Sequence, residues 1–171
     1  ESFKNSSAVT RLDDTLFTHT YYFNTEHPLF KDAKVRQALS MAIDRTELAN
    51  RLVFAKAANT IVNPAAFETG YTKKNQVYFN DKLTSSVKVT AETAEAKKLF
   101  ESANVDASAK TFTISVKDGD ASALATAEYC KEVWEGLGVG LSVNIRKLGA
   151  IPYVQNDYDG VFDTHLACFM A

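Results

Sequence analysis

The chain has 171 residues, of which 46% are hydrophobic and 23% charged, a composition that predicts one folded domain with a buried core. Nineteen basic and 21 acidic residues give a formal net charge of −2, so the chain lacks the basic surface that binds nucleic acid or anionic membranes. No apolar run approaches the ~20 residues that span a bilayer. Because the chain begins at Glu1 without an initiator methionine or a signal segment, we expect a processed chain or an excised piece of a longer one.

The first predicted element is a strand at residues 15–24, TLFTHTYYFN, because aromatic and β-branched residues dominate it with partial alternation. A turn follows, since Pro28 lacks an amide hydrogen and disfavours the helical conformation at His27. Five aromatic residues of the chain are expected to lie in the core: Tyr21, Tyr22, Phe23, Trp134 and Phe169.

Two consecutive helices are predicted next. A stripe of apolar residues at helical spacing marks the first of them, and it consists of Val35, Ala38, Leu39, Ala42 and Ile43. Asp32 precedes this stripe as its N-cap, and Asp44 caps the second helix, with Glu47 at the capping-box position. We expect Arg36 and Arg45 to hold the helix pair together through carboxylate or carbonyl contacts and not to bind substrate.

Residues 55–88 carry only a weak pattern, and Pro64 and Gly70 indicate irregular structure there. A third helix is predicted within residues 90–104, TAETAEAKKLFESAN, with Thr90 as its N-cap and Asn104 as a left-handed stop. Its apolar stripe consists of Ala96, Leu99, Phe100 and Ala103.

The second half of the chain predicts a strand, a helix and a strand in succession. KTFTISVKDG alternates apolar residues, ASALATAEYCKEVWEGLG carries a helical stripe that closes at Gly138, and VGLSVNIRKL alternates again. This order predicts a right-handed βαβ unit with parallel strands. A last strand is predicted at residues 162–171, FDTHLACFMA.

The chemistry-bearing residues do not form a recognisable catalytic or metal-binding motif. The three histidines, His19, His27 and His165, lie far apart, which argues against a metal site. Cys168 follows His165 by three positions, but residues at that spacing on a strand point to opposite faces, so we expect no thiol and base pair. Cys130 and Cys168 are expected to be buried free thiols and not a disulfide. We therefore expect no enzymatic activity, no metal and no cofactor.

Residues 21–45, YYFNTEHPLFKDAKVRQALSMAIDR, resemble the peptide-binding, extracytoplasmic solute-binding proteins of ABC importers, of the oligopeptide and dipeptide type. The likeness lies in an extended FN segment, the proline, and a helix with the pattern D-x-x-V-R-x-A-[LI]-x-x-A-I-D-R. Three later segments are similar to family segments in the same order: AEAKKLFESA, VWEGLGVGLSVNI and YDGVFDTHLACFMA. The resemblance covers nearly the whole chain from Thr15, and its first motif is the most specific.

The resemblance implies an α/β fold with a mixed sheet and flanking helices, as one lobe of a two-lobed periplasmic-binding-protein (Venus-flytrap) receptor. Residues 1–171 would form this single lobe, bounded by segments near 15–24 and 162–171 that cross the hinge. The ligand would lie between this lobe and a missing first lobe of the same chain.

The resemblance places ligand contacts on the last strand, whose backbone would pair with an extended peptide. The residues concerned are Ala167, Cys168, Phe169 and Met170. Phe169 stands where the family often has Trp, Cys168 stands where it often has Gly, and the acidic residue that binds a peptide amino terminus would fall just after Ala171. Some relatives bind the peptide carboxylate through basic residues in this region. Here the region reads Asp157, Tyr158, Asp159 and Leu166.

The chain is therefore expected to be the ligand-binding lobe of an extracytoplasmic oligopeptide receptor, in the periplasm or as a cell-surface lipoprotein. Such a receptor delivers peptides to a membrane permease and ATPase complex. Two alternatives stay open: a receptor for a sugar or another small solute, and a peptide-signal or protein-interaction module not coupled to import. The sequence does not separate them, because ligand identity depends on the missing lobe and transport depends on the membrane complex.

Overall fold

A computed structural model describes residues 17–52, 55–58 and 88–170. The strands are β1 (Phe17–Phe23), β2 (Thr111–Lys117), β3 (Ser142–Leu148) and β4 (Thr164–Met170). The helices are α1 (Ala33–Ala42), α2 (Arg45–Arg51), α3 (Thr93–Glu101), α4 (Ala121–Gly136) and α5 (Ala150–Tyr158). Two short 3-10 helices lie at Pro28–Phe30 and Ala107–Ala109. Among these helices, none is long and apolar enough to cross a membrane.

The four strands form one mixed sheet in the order β1-β4-β2-β3. The predicted βαβ unit is confirmed, since β2 and β3 pair in parallel over their full length and α4 connects them. Strand β4 pairs antiparallel with β1 over seven residues. It meets β2 at only two positions, Ile114 with Thr164 and Ser115 with His165. The β1–β4 pair therefore extends as a two-stranded ribbon beyond the rest of the sheet.

The core lies on the face of the sheet that α1 to α4 cover, and Trp134 is at its centre. The Trp134 ring contacts the rings of Tyr21, Phe23 and Phe112, and its Nε1–H donates to the carbonyl of Leu39 at 3.0 Å. The fully buried side chains around it include Phe30, Phe100, Leu29, Ile114, Val35, Val116 and Val143. The aromatic strand β1 thus contributes its alternate residues to the core.

The predicted N-caps of α1 and α2 are confirmed. The Asp32 carboxylate accepts a hydrogen bond from the amide of Lys34, and the Asp44 carboxylate accepts one from the amide of Glu47, each at 2.8 Å. The Glu47 carboxylate does not return to the cap, because it accepts hydrogen bonds from Arg51 and from the hydroxyl of Tyr129. The helix pair therefore has the predicted caps without the full capping box.

The two arginines hold the helix pair through carbonyl groups, as predicted. Arg36 donates to the carbonyls of Phe30 and Lys31. Arg45 donates to the carbonyls of Ser40, Ile43 and Lys88 and to the Ser40 hydroxyl. Both side chains are partly buried and their guanidinium groups donate to backbone carbonyls, so both residues have a structural role.

Some predicted helix ends are correct and others are wrong. Asn104 has a φ of 51° after α3, and Gly138 has a φ of 67° after α4, as expected of left-handed stops. Thr90 is not the N-cap of α3, because the helix begins at Thr93 and Glu92 occupies the cap position. The Glu92 amide donates to the carbonyl of Met41, so contact with α1 determines where α3 begins.

Two features of the second face of the sheet, the face opposite Trp134, were not predicted. Helix α5 follows β3, although Pro152 lies within it; proline is tolerated in the first turn because the amide there has no helical partner. Tyr22 was expected in the core but is partly exposed, because residues alternate along β1 and Tyr22 points away from Trp134. It lies on the face that α5 covers, beside His165.

Candidate ligand-binding surface at β4 and α5

Strand β4 contains the four residues predicted to contact ligand, Ala167, Cys168, Phe169 and Met170. Their backbone pairs in register with Thr20, His19, Thr18 and Phe17 of β1. Their side chains lie outside the described part of the structure. Within the described residues, the other edge of β4 has no strand partner after His165. The predicted contact segment therefore offers one paired and one open edge.

The backbone groups that face the open edge of β4 follow from strand alternation. The carbonyl of Asp163 accepts from the Asn24 amide at the end of β1, so odd-numbered residues of this segment face β1. The carbonyl of Leu166 points the other way and accepts a hydrogen bond from the Tyr153 hydroxyl at 3.0 Å. Cys168 and Met170, at the same parity as Leu166, direct their amide and carbonyl groups to the open edge.

Helix α5 lies beside this open edge and exposes an apolar stripe. Ile151 is 83% exposed, Val154 64% and Tyr158 88%, and their spacing of three and four residues places them on one side of the helix. Val161, in the turn that follows, is exposed as well. Contiguous exposed apolar residues rimmed by polar groups are typical of ligand or partner contact.

Side-chain hydrogen bonds of two residues, Asn24 and Asp163, hold the turn between α5 and β4 in place. The Asn24 side-chain amide donates to the carbonyls of Gly160 and Phe162, at 3.2 and 2.8 Å. The Asp163 carboxylate accepts from the amide of Thr113 at 2.8 Å. Asn24 and Asp163 belong to the FN and FD segments on which the family resemblance rests. These residues therefore hold α5 and β4 in place relative to each other.

His165 lies beneath α5 in an aromatic cage and is only 3% exposed. Its ring stacks on Phe162 with centroids 4.3 Å apart, and the rings of Tyr22 and Tyr153 flank it. Burial lowers the pKa of His165, and the nearby Asp157 carboxylate opposes that shift. Its Nε2 atom is 3.2 Å from Asp157 Oδ1, yet it is buried without a hydrogen-bond partner in the described residues.

His27 and His165 lie in different surroundings. His27 uses Nδ1 to accept from the Leu29 amide in the turn after β1, whereas His165 is enclosed under α5. No group of three or more potential metal ligands occurs within residues 17–52, 55–58 and 88–170.

Cys130 is a buried free thiol, and desolvation raises its pKa to about 12, so it is unreactive at neutral pH. The side chain of Cys168 lies outside the described residues.

A depression of about 400 Å³ lies where β2 ends and α4 begins. Its lining includes Lys117, Asp118 and Asp120, which are all exposed. The Asp120 carboxylate already accepts from the Ala123 amide at the start of α4. The depression is shallow and its helix end is capped, so the β4–α5 surface is the stronger candidate.

The profile of the family described as bacterial extracellular solute-binding proteins, family 5 middle, matches residues 1–169. A search of the curated proteins returned no match.

Solved structures share the fold at low sequence identity. The substrate-binding domain of an oligopeptide ABC transporter from Bacillus anthracis has a TM-score of 0.77 at 19% identity, covering 98% of this chain and 33% of that one. Peptide-bound OppA from Listeria monocytogenes has a TM-score of 0.74 at 18% identity, with coverages of 99% and 33%. AppA from Bacillus subtilis in complex with a nonapeptide has a TM-score of 0.70 at 20% identity, with coverages of 90% and 31%. The chain thus spans about a third of the length of these proteins.

Proposed function

The chain belongs to family 5 of the bacterial extracellular solute-binding proteins, and we propose that it is one lobe of a two-lobed receptor for oligopeptides. In this proposal residues 1–171 form a single α/β lobe, and the segments near 15–24 and 162–171 cross the hinge. The chain covers a third or less of several peptide-bound relatives, which supports a lobe and not a complete receptor.

The open edge of β4 is the observation that carries the proposal. An extended peptide binds such an edge as an added strand, because its backbone supplies hydrogen-bond partners for the unpaired amide and carbonyl groups of the edge. This mode of binding is independent of peptide sequence, which suits a receptor for many peptides. A sugar would not use a row of backbone groups at strand spacing, so this geometry favours a peptide over the sugar alternative.

Helix α5 would provide the side-chain contacts of this lobe. Its stripe of Ile151, Val154 and Tyr158 is exposed to solvent and would be available to peptide side chains that extend past the β4 edge. The stripe forms only one wall, and a pocket normally encloses most of its ligand's surface. Enclosure would come from the other lobe of the receptor, which closes on the peptide.

The remaining roles follow from the family. The receptor would act outside the cytoplasm, in the periplasm or as a lipoprotein on the cell surface. Its partners would be a peptide ligand, the other lobe of the same chain, and a membrane permease and ATPase complex. It would act by binding alone, without catalysis, metal or cofactor. A peptide-signal or protein-interaction module is the remaining alternative, and genes for permeases and ATPases beside its gene would favour import.

The test is to block the open edge in the full receptor that carries this lobe. Cys168→Pro removes an amide hydrogen that faces the open edge and leaves the amides that face β1 intact. We expect affinity for a pool of short peptides, measured by calorimetry, to fall at least about tenfold, which corresponds to 1.4 kcal/mol. The thermal unfolding temperature should change little by comparison.

Ala167→Pro is the matched control, because the amide of Ala167 faces β1. This change should destabilise the lobe by breaking the β1–β4 ladder. Unchanged peptide affinity in the Cys168→Pro receptor would contradict binding at this edge. Binding of sugars but of no peptide by the unmodified receptor would overturn the oligopeptide proposal altogether.

A further inference from the structure

Asp157 is an exposed carboxylate on the part of α5 that borders β4. It follows Tyr153 by four residues, so both side chains lie on the side of the helix that faces the strand. Its side chain is 54% exposed, and Oδ1 lies 3.2 Å from Nε2 of His165. Asp157 thus reaches both the buried aromatic cage and the surface proposed to bind peptide.

The charge of Asp157 is not balanced by a lysine or an arginine within the described part of the chain. Four of the ion pairs found there join other residues, and the described group that pairs with Asp157 is the imidazole of His165. That imidazole is enclosed by Phe162, Tyr22 and Tyr153, and burial favours its neutral form by lowering its pKa. A neutral ring places no positive charge beside the carboxylate.

The neighbouring carboxylate, Asp159, is in a different situation. Its Oδ2 atom accepts a hydrogen bond from the side-chain amide of Gln155 at 2.8 Å. The buried Nε2 of His165 points toward Asp157 and lacks a hydrogen-bond partner in the described residues. Of these two acidic residues, only Asp159 accepts a side-chain hydrogen bond within the described residues.

We propose that Asp157, supported by His165, receives a cationic group of the bound peptide, an ammonium or a guanidinium. This inference rests on the proposed function, because it assumes that peptide lies along β4 and α5. The apolar stripe of Ile151, Val154 and Tyr158 would contact the alkyl part of a long basic side chain, and Asp157 would pair with its charged end. A free peptide amino terminus has the same chemistry and is the second possible source of the cation.

The test compares three hexapeptide pools on the full receptor, with one position varied in turn and all other residues and the carboxyl terminus kept the same. The first pool is N-acetylated and carries Lys, the second is N-acetylated and carries Gln, and the third carries Gln with a free amino terminus. We expect at least one cationic pool to bind about tenfold or more tightly than the acetylated Gln pool. An advantage of the Lys pool identifies a side chain as the cation, and an advantage of the free amine identifies the terminus.

Three variants assign the preference to Asp157. Asp157→Asn keeps the shape of the side chain and should abolish the advantage, while Asp159→Asn removes a nearby charge and should keep it. Asp157→Glu restores the charge and should restore part of the preference, which a purely structural role would not predict. Unfolding temperatures of all three variants identify any effect that arises from misfolding.

Two results would overturn the inference while leaving the proposed function intact. These are equal affinity of the unmodified receptor for all three pools, and a cation preference that survives in folded Asp157→Asn. Failure of every pool to bind the unmodified receptor would instead reject the proposed function, and the inference with it.

Discussion

The two faces of the sheet differ in how completely their groups are covered and paired. On the face covered by α1 to α4, Trp134 is enclosed and hydrogen-bonded, and Arg45 meets four acceptors. The Tyr21 hydroxyl is an exception there, since it is buried without a partner in the described residues. On the other face, the nine residues of α5 leave an apolar stripe exposed and His165 Nε2 unpartnered.

Under the proposed function, this difference predicts that stability and ligand binding depend on opposite faces. Burial of apolar surface is the main source of folding free energy, and the first face supplies most of it. Groups left exposed or unpaired lower stability or contribute nothing to it, so they are expected where a ligand will cover them. Substitutions on the two faces should therefore affect different measurements.

The largest expected effect is on the first face. Trp134→Ala removes the central ring of the core and its hydrogen bond to Leu39, and it should cost roughly 3–5 kcal/mol of unfolding free energy. Such a loss is a large share of the stability of an ordinary domain. Chemical denaturation of the receptor would measure it. Trp134→Phe should cost less because it keeps much of the buried area; an equal loss in both variants would contradict the importance of ring packing.

The second prediction concerns pH and the cage under α5. The pKa of His165 is lowered in the folded state, so the unfolded chain binds a proton at higher pH than the folded chain does. The contribution of this residue is fully present above its ordinary pKa of about 6.5 and is lost as the pH falls below that value. We expect the unfolding temperature to decrease between pH 7 and pH 5.

His165→Phe tests this assignment, because it keeps an aromatic ring against Phe162 and cannot titrate. The groups that face His165 are Tyr22 on β1 and Tyr153 and Asp157 on α5, while Ser115 and Arg146 continue the same row across β2 and β3. The variant should show a smaller decrease over the same pH range. An unchanged pH profile would assign the titration to another group.

Local patterns in the sequence predicted the first face well. Asp32 and Asp44 cap their helices through amides two and three residues away, so the information lies within a few residues. Burial of one stripe per helix likewise leaves a readable period.

The structure of the second face depends on contacts between residues that are distant in sequence, so local patterns did not predict it. Helix α5 has its apolar stripe on the exposed side and a proline in its first turn, so neither signal marked it as a packed helix. The approach of His165 to Asp157 depends on β4 lying beside β2 and under α5. Only the resemblance to a family pointed to β4 as a contact strand, and the ligand contacts of its side chains stay a prediction.

The smallest expected change in stability is on the exposed stripe of α5. The double substitution Ile151→Thr and Val154→Thr replaces apolar groups with hydroxyls and keeps β-branching, so helix propensity is nearly unchanged. Since both side chains are largely exposed, we expect the unfolding free energy to change by less than about 0.5 kcal/mol. Affinity for the peptide pool should nevertheless fall about threefold or more, because apolar area that a ligand would cover is lost. Calorimetry and denaturation of the same preparation would separate the two effects. A loss of stability without a loss of affinity would reverse the division of roles between the faces and make α5 a structural helix.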